Sequence, residues 1–259
     1  MITSTSNAQM KNLVQLQKKG KARREQDVFV AEGLKMYREA PRELVEKIYL
    51  SETFSKKEEA REILRRRNVE IVEERVFRSV SDTKTPQGIL AVVRRQHYAL
   101  EQVLAGENPL LLLLENLQDP GNLGTILRTG EGAGVTGVVM SEDTVDLYNP
   151  KAIRSTMGSI YRMPFCYVED LKDVMKELKK RGIVSYAAHL KGERAYDMPD
   201  YRESCGFLIG NEGNGLTDGL AACAEEYIRI PMCGRVESLN AAVASSVLMY
   251  EAFRQRRKK

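Results

Sequence analysis

From Leu110 onward the chain repeats one alternation, a short apolar run followed by a stretch of helical periodicity. The pattern predicts strands at "LLLLLEN", "GVVMS", "IVSYAAHL", "GFLIG" and "YIRIPM". It predicts helices at "GNLGTILRTGEGAG", "NPKAIRSTMGSIY", "LKDVMKELKKRG" and "SLNAAVASSVLMYEAFRQRR". Apolar strands separated by helices of this length point to a parallel sheet with helices on both faces. Ligands of such sheets bind beyond the carboxyl ends of the strands. Three Gly-rich segments fall at such ends, "DPGNLG", "GNEGNG" and "CGRVESLN". Their convergence carries more information than any one of them.

Residues 1–97 form a smaller α/β unit. Strands are predicted at "DVFVAEG", "VEKIYLS", "VEIVEE" and "GILAVVRR", and helices at "NAQMKNLVQLQKK", "GLKMYREA" and "SKKEEAREILRRRN". Residues 98–109 read as a linker with a short helix, and residues 110–259 as the second domain. This division separates charge. Residues 1–97 carry 21 Lys and Arg against 14 Asp and Glu, whereas residues 98–259 carry 19 against 22. A basic first third suits a polyanionic partner. The plainer alternative is that Lys- and Arg-rich helices solvate their outer faces.

Several function classes lose support. No apolar stretch approaches the roughly 18 residues of a membrane span, and the N-terminus lacks a signal-peptide core. The four cysteines, Cys166, Cys205, Cys223 and Cys233, form no CxxC pair and the chain has two histidines, so no metal site is expected. The thiols read as reduced and mostly buried, in a cytoplasmic protein. "GAGVTG" matches a dinucleotide fingerprint by letters, yet it closes a helix instead of opening one. Neither a P-loop nor a GxSxG nucleophile elbow is present.

What remains is the helix after "LLLLLEN". Asp119 and Pro120 make an N-cap and first-turn pair. Leu123, Ile126, Leu127 and Gly130 recur at core-facing spacing, while Gly121, Gly124, Arg128 and Gly132 line another face. A glycine inside a helix costs about 1 kcal/mol. Three of them around one guanidinium suggest clearance for a polar or anionic group that Arg128 would clamp.

Three motifs, "DPGNLGTILRT", "IGNEGNGL" and "IPMCGRVESLNAAVASSVLMYE", closely resemble the signatures of SpoU (TrmH-type) RNA 2′-O-ribose methyltransferases of the SPOUT class. Their order and spacing also agree, over about residues 110–255. The N-terminal "ITSTSNAQMKNLVQL" and "FVAEGLKMYREA" look like the substrate-binding domain often fused to these enzymes. Its fold in the family is similar to that of ribosomal proteins that bind kinked RNA. The resemblance implies a deep trefoil knot in the C-terminal sheet, bound S-adenosylmethionine, and a homodimer through the C-terminal domain.

Carried over by position, the resemblance makes Asn122 and Arg128 the polar and catalytic residues of the first motif. Glu212 is the acidic residue of the second, and Ser238 and Asn240 the polar pair of the third. Gly210, Ile230 and Leu239 fall where the family's backbone contacts the cofactor. Two departures, Gly130 for a usual Ala and "SLNAAVA" for "SLNVSVA", bear on helix packing. The implied activity is methyl transfer to a ribose 2′-hydroxyl, of 23S-type large-subunit ribosomal RNA and with guanosine as the nucleoside. Transfer RNA as substrate and a non-catalytic RNA-binding protein are the alternatives.

A guanidinium stays protonated, so Arg128 is assigned to charge stabilisation, with an RNA phosphate as one aid to proton removal; Glu212 is either the alternative base or a group that only orients Arg128 or Asn122. Ser238 stands where the last helix is predicted to begin and could cap it. Asn240 is expected to donate or accept within the pocket. Lys11, Lys18, Lys19, Arg23, Arg24, Lys151 and Arg154 are electrostatic candidates for RNA phosphates.

Overall fold

A computed structural model describes residues 1–257. The chain forms two compact units, and both are discontinuous in sequence. The first comprises residues 1–96 and 146–161, the second residues 97–145 and 162 onward.

The first unit holds four strands: β1 (Val28–Glu32), β2 (Val45–Ser51), β3 (Val69–Val72) and β4 (Ile89–Arg94). Their order is β1-β4-β2-β3, with β4 antiparallel to both neighbours and β2 parallel to β3. The helix Ala8–Lys18 buries Met10, Leu13 and Leu16 against this sheet, where they meet Phe77, Tyr49 and Leu90. The predicted helix over "SKKEEAREILRRRN" is regular only at Ala60–Ile63. Around it, successive N–H groups bond three residues back, from Lys57 to Phe54 and from Arg66 to Ile63. This tighter winding suits a segment whose one apolar face is narrow and whose end carries three consecutive arginines.

Residues 146–161 dock onto this unit with buried polar contacts. Arg23 is 4% exposed. It donates to Asp146 Oδ2 from Nε at 3.0 Å and from Nη2 at 2.6 Å, and to the Leu16 carbonyl at 2.7 Å. The Tyr148 hydroxyl donates to the Gln96 carbonyl and accepts from its N–H, and the Tyr148 ring packs on Phe29 at 4.9 Å. The helix Pro150–Thr156, with Asn149 as its cap, lies against β1.

The second unit is a seven-stranded parallel sheet: β5 (Leu110–Leu114), β6 (Gly137–Ser141), β7 (Phe165–Val168), β8 (Val184–Ala188), β9 (Arg194–Ala195), β10 (Cys205–Ile209) and β11 (Glu226–Arg229). The order is β7-β6-β5-β10-β8-β11-β9. β5 and β10, paired in register at the centre, are buried at every residue, as the unbroken leucine run requires. β7 and β9 carry no clear sequence signal and add to the five strands that the alternation predicts.

The helix Pro120–Ala133 begins at Asp119, whose carboxylate accepts from the Asn122 N–H at 2.8 Å. It ends at Gly134 with φ of +80°, which accounts for one glycine of "GAGVTG". Gly130 is buried, and a Cβ there would lie 3.3 Å from Val135 and 3.5 Å from Met249 Sδ. Its missing methyl therefore lets the helix Ala241–Arg256 pack closely. Among the described residues no helix is long and apolar enough to cross a membrane, and no cluster of three or more metal-ligating side chains occurs. All four cysteines are free. Cys166 and Cys205 are buried, with burial pushing each thiol up to about 11, whereas Cys223 and Cys233 are exposed.

Candidate active site

The carboxyl ends of β8, β10 and β11 lead into loops that enclose a cleft of about 290 Å³. Gly210, Glu212, Ile230, Ser238 and Leu239 all line it. Gly210 directly follows β10, and the loop beyond it folds straight back over it, with reciprocal N–H bonds between Asn211 and Gly215. A Cβ on Gly210 would stand 2.1 Å from both Gly215 C and Leu216 N. No larger residue fits without moving backbone, so the cradle shape of this loop depends on glycine.

The segment after β5 is tied to the same loop at several points. Glu115 accepts from the Thr217 N–H and hydroxyl, both at 2.7 Å. Asn211 donates to the Asn116 carbonyl at 2.8 Å. Glu212 accepts from the Gln118 N–H at 3.0 Å, the Asp119 N–H at 3.1 Å and the Asn122 amide at 3.0 Å. Asn122 Oδ1 in turn accepts from Asn240 Nδ2 at 3.1 Å. Asn240 Oδ1 accepts from the N–H groups of Ala242 and Val243 and so caps the Ala241–Arg256 helix. One chain of hydrogen bonds thus runs from a carboxylate, through two amides, to a helix N-terminus, and joins all three Gly-rich segments.

Burial by itself pushes the Glu212 carboxyl up. The hydrogen bonds from the Gln118 N–H, the Asn122 amide and the Asp119 N–H outweigh it and hold the group below the ordinary carboxylate value. A carboxylate satisfied in this way is a weak proton acceptor and a good orienting group.

Ser238 differs from expectation. The last helix starts three residues later than its sequence pattern suggests, at Ala241, so Asn240 is the cap. The Ser238 side chain is exposed at the cleft and takes no part in capping.

Arg128 lies on the exposed side of the Pro120–Ala133 helix, and its side chain makes no hydrogen bond or ion pair among the described residues. Of the glycines expected to clear space around it, Gly132 is exposed, Gly121 half-buried and Gly124 buried. Leu123, Ile126 and Leu127 are fully buried, as their spacing requires.

The electrostatic candidates divide. Lys11, Lys18, Lys19, Arg24 and Lys151 are exposed. Arg23 is engaged by Asp146 and two backbone carbonyls inside the first unit, so it cannot meet a phosphate. Arg154 is held by Asp82 at 2.6 Å. Periodicity could not reveal this, because both partners are distant in sequence. Gln118 escaped notice as well; its amide donates to the Asn116 and Asp143 carbonyls and its N–H to Glu212. The only sequence signal was its position between a buried strand and the helix cap Asp119.

Residues 109–250 match the SpoU rRNA Methylase family, and residues 7–91 match an MRM3-like substrate binding domain. Over 180 residues the chain is 36% identical to the 23S rRNA (guanosine(2553)-2′-O)-methyltransferase RlmP of Bacillus subtilis (strain 168), covering 70% of each chain. It is similar in structure to the SpoU methyltransferase AviRb from Streptomyces viridochromogenes in complex with the cofactor AdoMet. That match has a TM-score of 0.87 and 27% identity, and covers 96% of this chain and 98% of AviRb. It is also similar to an AdoMet-bound rRNA methyltransferase from Sinorhizobium meliloti, with a TM-score of 0.87, 30% identity, and coverage of 99% and 98%.

Proposed function

The chain belongs to the SpoU rRNA Methylase family, and on that premise we propose that it methylates the ribose 2′-hydroxyl of a guanosine in 23S-type ribosomal RNA. It is an RNA methyltransferase that uses S-adenosylmethionine. The observation that carries the site assignment is the hydrogen-bonded chain Glu212–Asn122–Asn240, which ties the segment after β5 to the two loops that line the cleft.

The cleft suits the cofactor. Ile209, Ile228, Ile230 and Leu239 offer apolar walls, and the backbone at Gly210 can be approached closely because the position bears no side chain. Gly210, Ile230 and Leu239 are assigned to holding it through backbone groups. S-adenosylmethionine, when bound, supplies a methyl carbon made electrophilic by its sulfonium.

Arg128 is assigned to the 2′-oxygen and a neighbouring phosphate, where a permanent cation stabilises negative charge as it develops. Asn122 and Asn240 keep their amides fixed for the ribose edge, each with a further N–H to donate. Glu212 positions Asn122 and leaves proton removal to an acceptor outside this hydrogen-bonded chain, a phosphate oxygen of the RNA being one. Ser238 contributes a hydroxyl at the cleft.

The same reading extends to the whole chain. Residues 1–97 serve as the RNA substrate-binding domain, residues 98–109 as a linker and residues 110–259 as the methyltransferase domain; Lys258 and Lys259 lie outside the described residues. The surplus of seven positive charges in residues 1–97 favours RNA there, with Lys11, Lys18, Lys19 and Arg24 as phosphate contacts and Lys151, from the later segment, as a further one. A trefoil knot is favoured by the path of the chain after β11, which returns so that its last helix packs on the Pro120–Ala133 helix and on β10. A homodimer through the last helix is favoured by Val243, Tyr250 and Phe253, which stand exposed along it. The assigned compartment is the cytoplasm.

The test is transfer of labelled methyl from S-adenosylmethionine into total RNA, with mapping of the modified nucleotide. Label on a 2′-oxygen of ribosomal RNA is expected, and Arg128→Ala should abolish it while cofactor binding persists. Label on a base or on transfer RNA overturns the substrate assignment, and no incorporation into any RNA overturns the activity.

A further inference from the structure

Gln118 stands between the buried strand β5 and the cap Asp119, and its side chain has no role in the assignment above. Its amide Nε2 donates to the Asp143 carbonyl at 2.7 Å, to the Asn116 carbonyl at 3.3 Å and to Asn116 Oδ1. Backbone carbonyls only accept, so the nitrogen of the amide, and not its oxygen, must face them. Asn116 lies in the left-handed region, with φ of +53°, a conformation that a residue bearing a side chain keeps only when local bonds hold it. The Gln118 amide closes that turn on both Asn116 oxygens.

The loop after β6 braces the same turn at further points. The Asn116 N–H donates to Ser141 Oγ at 2.8 Å, the Val145 N–H to the Leu117 carbonyl at 2.8 Å, and Thr144 Oγ1 to the Leu114 carbonyl at 3.3 Å. Leu117 is fully buried, whereas Gln118 is exposed, and its amide is what ties residue 118 itself to that loop. On the other side Gln118 meets the loop after β10. Its backbone N–H lies 3.0 Å from Glu212 Oε2, and the Asp119 N–H lies 3.1 Å from Oε1. Oε1 also accepts from the Asn122 amide at 3.0 Å. The peptide planes of residues 117–119 decide where those two N–H groups point, and the Gln118 amide pins those planes.

We infer that Gln118 is a positioning residue for methyl transfer: its amide, anchored on the Asp143 and Asn116 carbonyls, holds two consecutive backbone N–H groups on Glu212 and, through Glu212, orients Asn122. The role rests on the reading of Asn122 as part of the catalytic site. Gln118 itself contacts neither cofactor nor RNA in this role. Release of its amide frees the turn, and a misplacement of about 1 Å at a reacting group costs up to about a hundredfold in rate. The cofactor contacts assigned to Gly210, Ile230 and Leu239 lie on other loops and are spared.

Steady-state methyl transfer to RNA by the full chain tests this. Gln118→Met, which keeps the length and removes the donors, should lower kcat about tenfold or more, with S-adenosylhomocysteine binding little changed in calorimetry. Gln118→Lys, which returns N–H donors to the same carbonyls, should recover most of the loss, and Gln118→Glu, which sets a carboxylate against them, should not. In a Glu212→Gln background, Gln118→Met should remove little more, because the two residues act in series. An unchanged kcat, losses that multiply in the double variant, or equal collapse of turnover and cofactor binding overturn the role.

Titration of the Glu212 carboxyl by carbon NMR gives a readout independent of turnover. Burial pushes that carboxyl up, and the bonds from the Gln118 N–H, the Asn122 amide and the Asp119 N–H outweigh it. Gln118→Met should therefore move the titration toward the ordinary carboxylate value, and an unmoved titration overturns the role. A parent chain that methylates no RNA overturns the activity reading instead, a result distinct from failure of the Gln118 role, which the NMR titration still decides.

Discussion

Asn122 Nδ2 donates to Glu212 Oε1 across 3.0 Å, joining the helix after β5 to the loop after β10. The same carboxylate receives two backbone N–H groups, so Glu212→Gln would set an amide N–H against donors. Methyl transfer should fall at least tenfold through loss of positioning, with S-adenosylhomocysteine binding changed by a few-fold at most. Equal collapse of binding and turnover would show that the residue serves only the cleft.

The depressed acidity of Glu212 also sets a pH expectation. Its carboxylate is ionised throughout the neutral range, so the pH–rate profile should show no limb between about pH 5 and 8 that disappears in Glu212→Gln. A group with a lowered folded value stabilises the fold above its ordinary value of 4.5, and that contribution is lost as pH falls through the lowered value. Melting temperature against pH should therefore be flatter on the acid side for Glu212→Gln than for the parent.

Gly210→Ala should be more damaging than its one methyl suggests. The added carbon has no flexible side chain to displace, since backbone atoms of Gly215 and Leu216 stand 2.1 Å away. A loss of about 1–3 kcal/mol or more in unfolding free energy is expected, together with loss of cofactor binding in calorimetry.

At the last helix, Asn240→Ala should cost about 1 kcal/mol through the cap alone, and it also removes a partner of Asn122. Ser238→Ala should leave melting unchanged. A reversed ranking in thermal denaturation would contradict the observed helix start.

In the first unit, structural and electrostatic arginines should separate cleanly. Arg23→Ala removes a buried guanidinium from a half-buried ion pair and from two backbone carbonyls, and should cost about 1–3 kcal/mol in denaturant unfolding. Joint replacement of Lys11, Lys18, Lys19 and Arg24 by Ala should spare stability and weaken RNA binding. The salt dependence of that binding should flatten, its slope falling by about 0.7 for each phosphate that is no longer neutralised.

The two central strands were readable because each is a run buried on both sides, and "LLLLL" or "CGFLI" admits few other uses. Asp119 and Pro120 were readable because capping is local. Ser238 and Asn240 were ranked wrongly as caps because either could end the loop, and the choice depends on where Asn122 sits. β7 was missed because "FCYV" is four residues long with its last two half-buried. Arg23 and Arg154 looked like surface charge, since Asp146 and Asp82 lie 123 and 72 residues away and leave no periodic trace.

Residues 146–161 complete the first unit although β5 and β6 precede them in the chain. During synthesis the ribosome therefore delivers the first unit in two instalments. Until Asp146 has emerged, the Arg23 guanidinium has no carboxylate to meet, and by then the second sheet already has two strands waiting for β10 at its centre. Folding of the two units must overlap in time, and a chain cut after residue 97 would release the first half with its arginine unmatched.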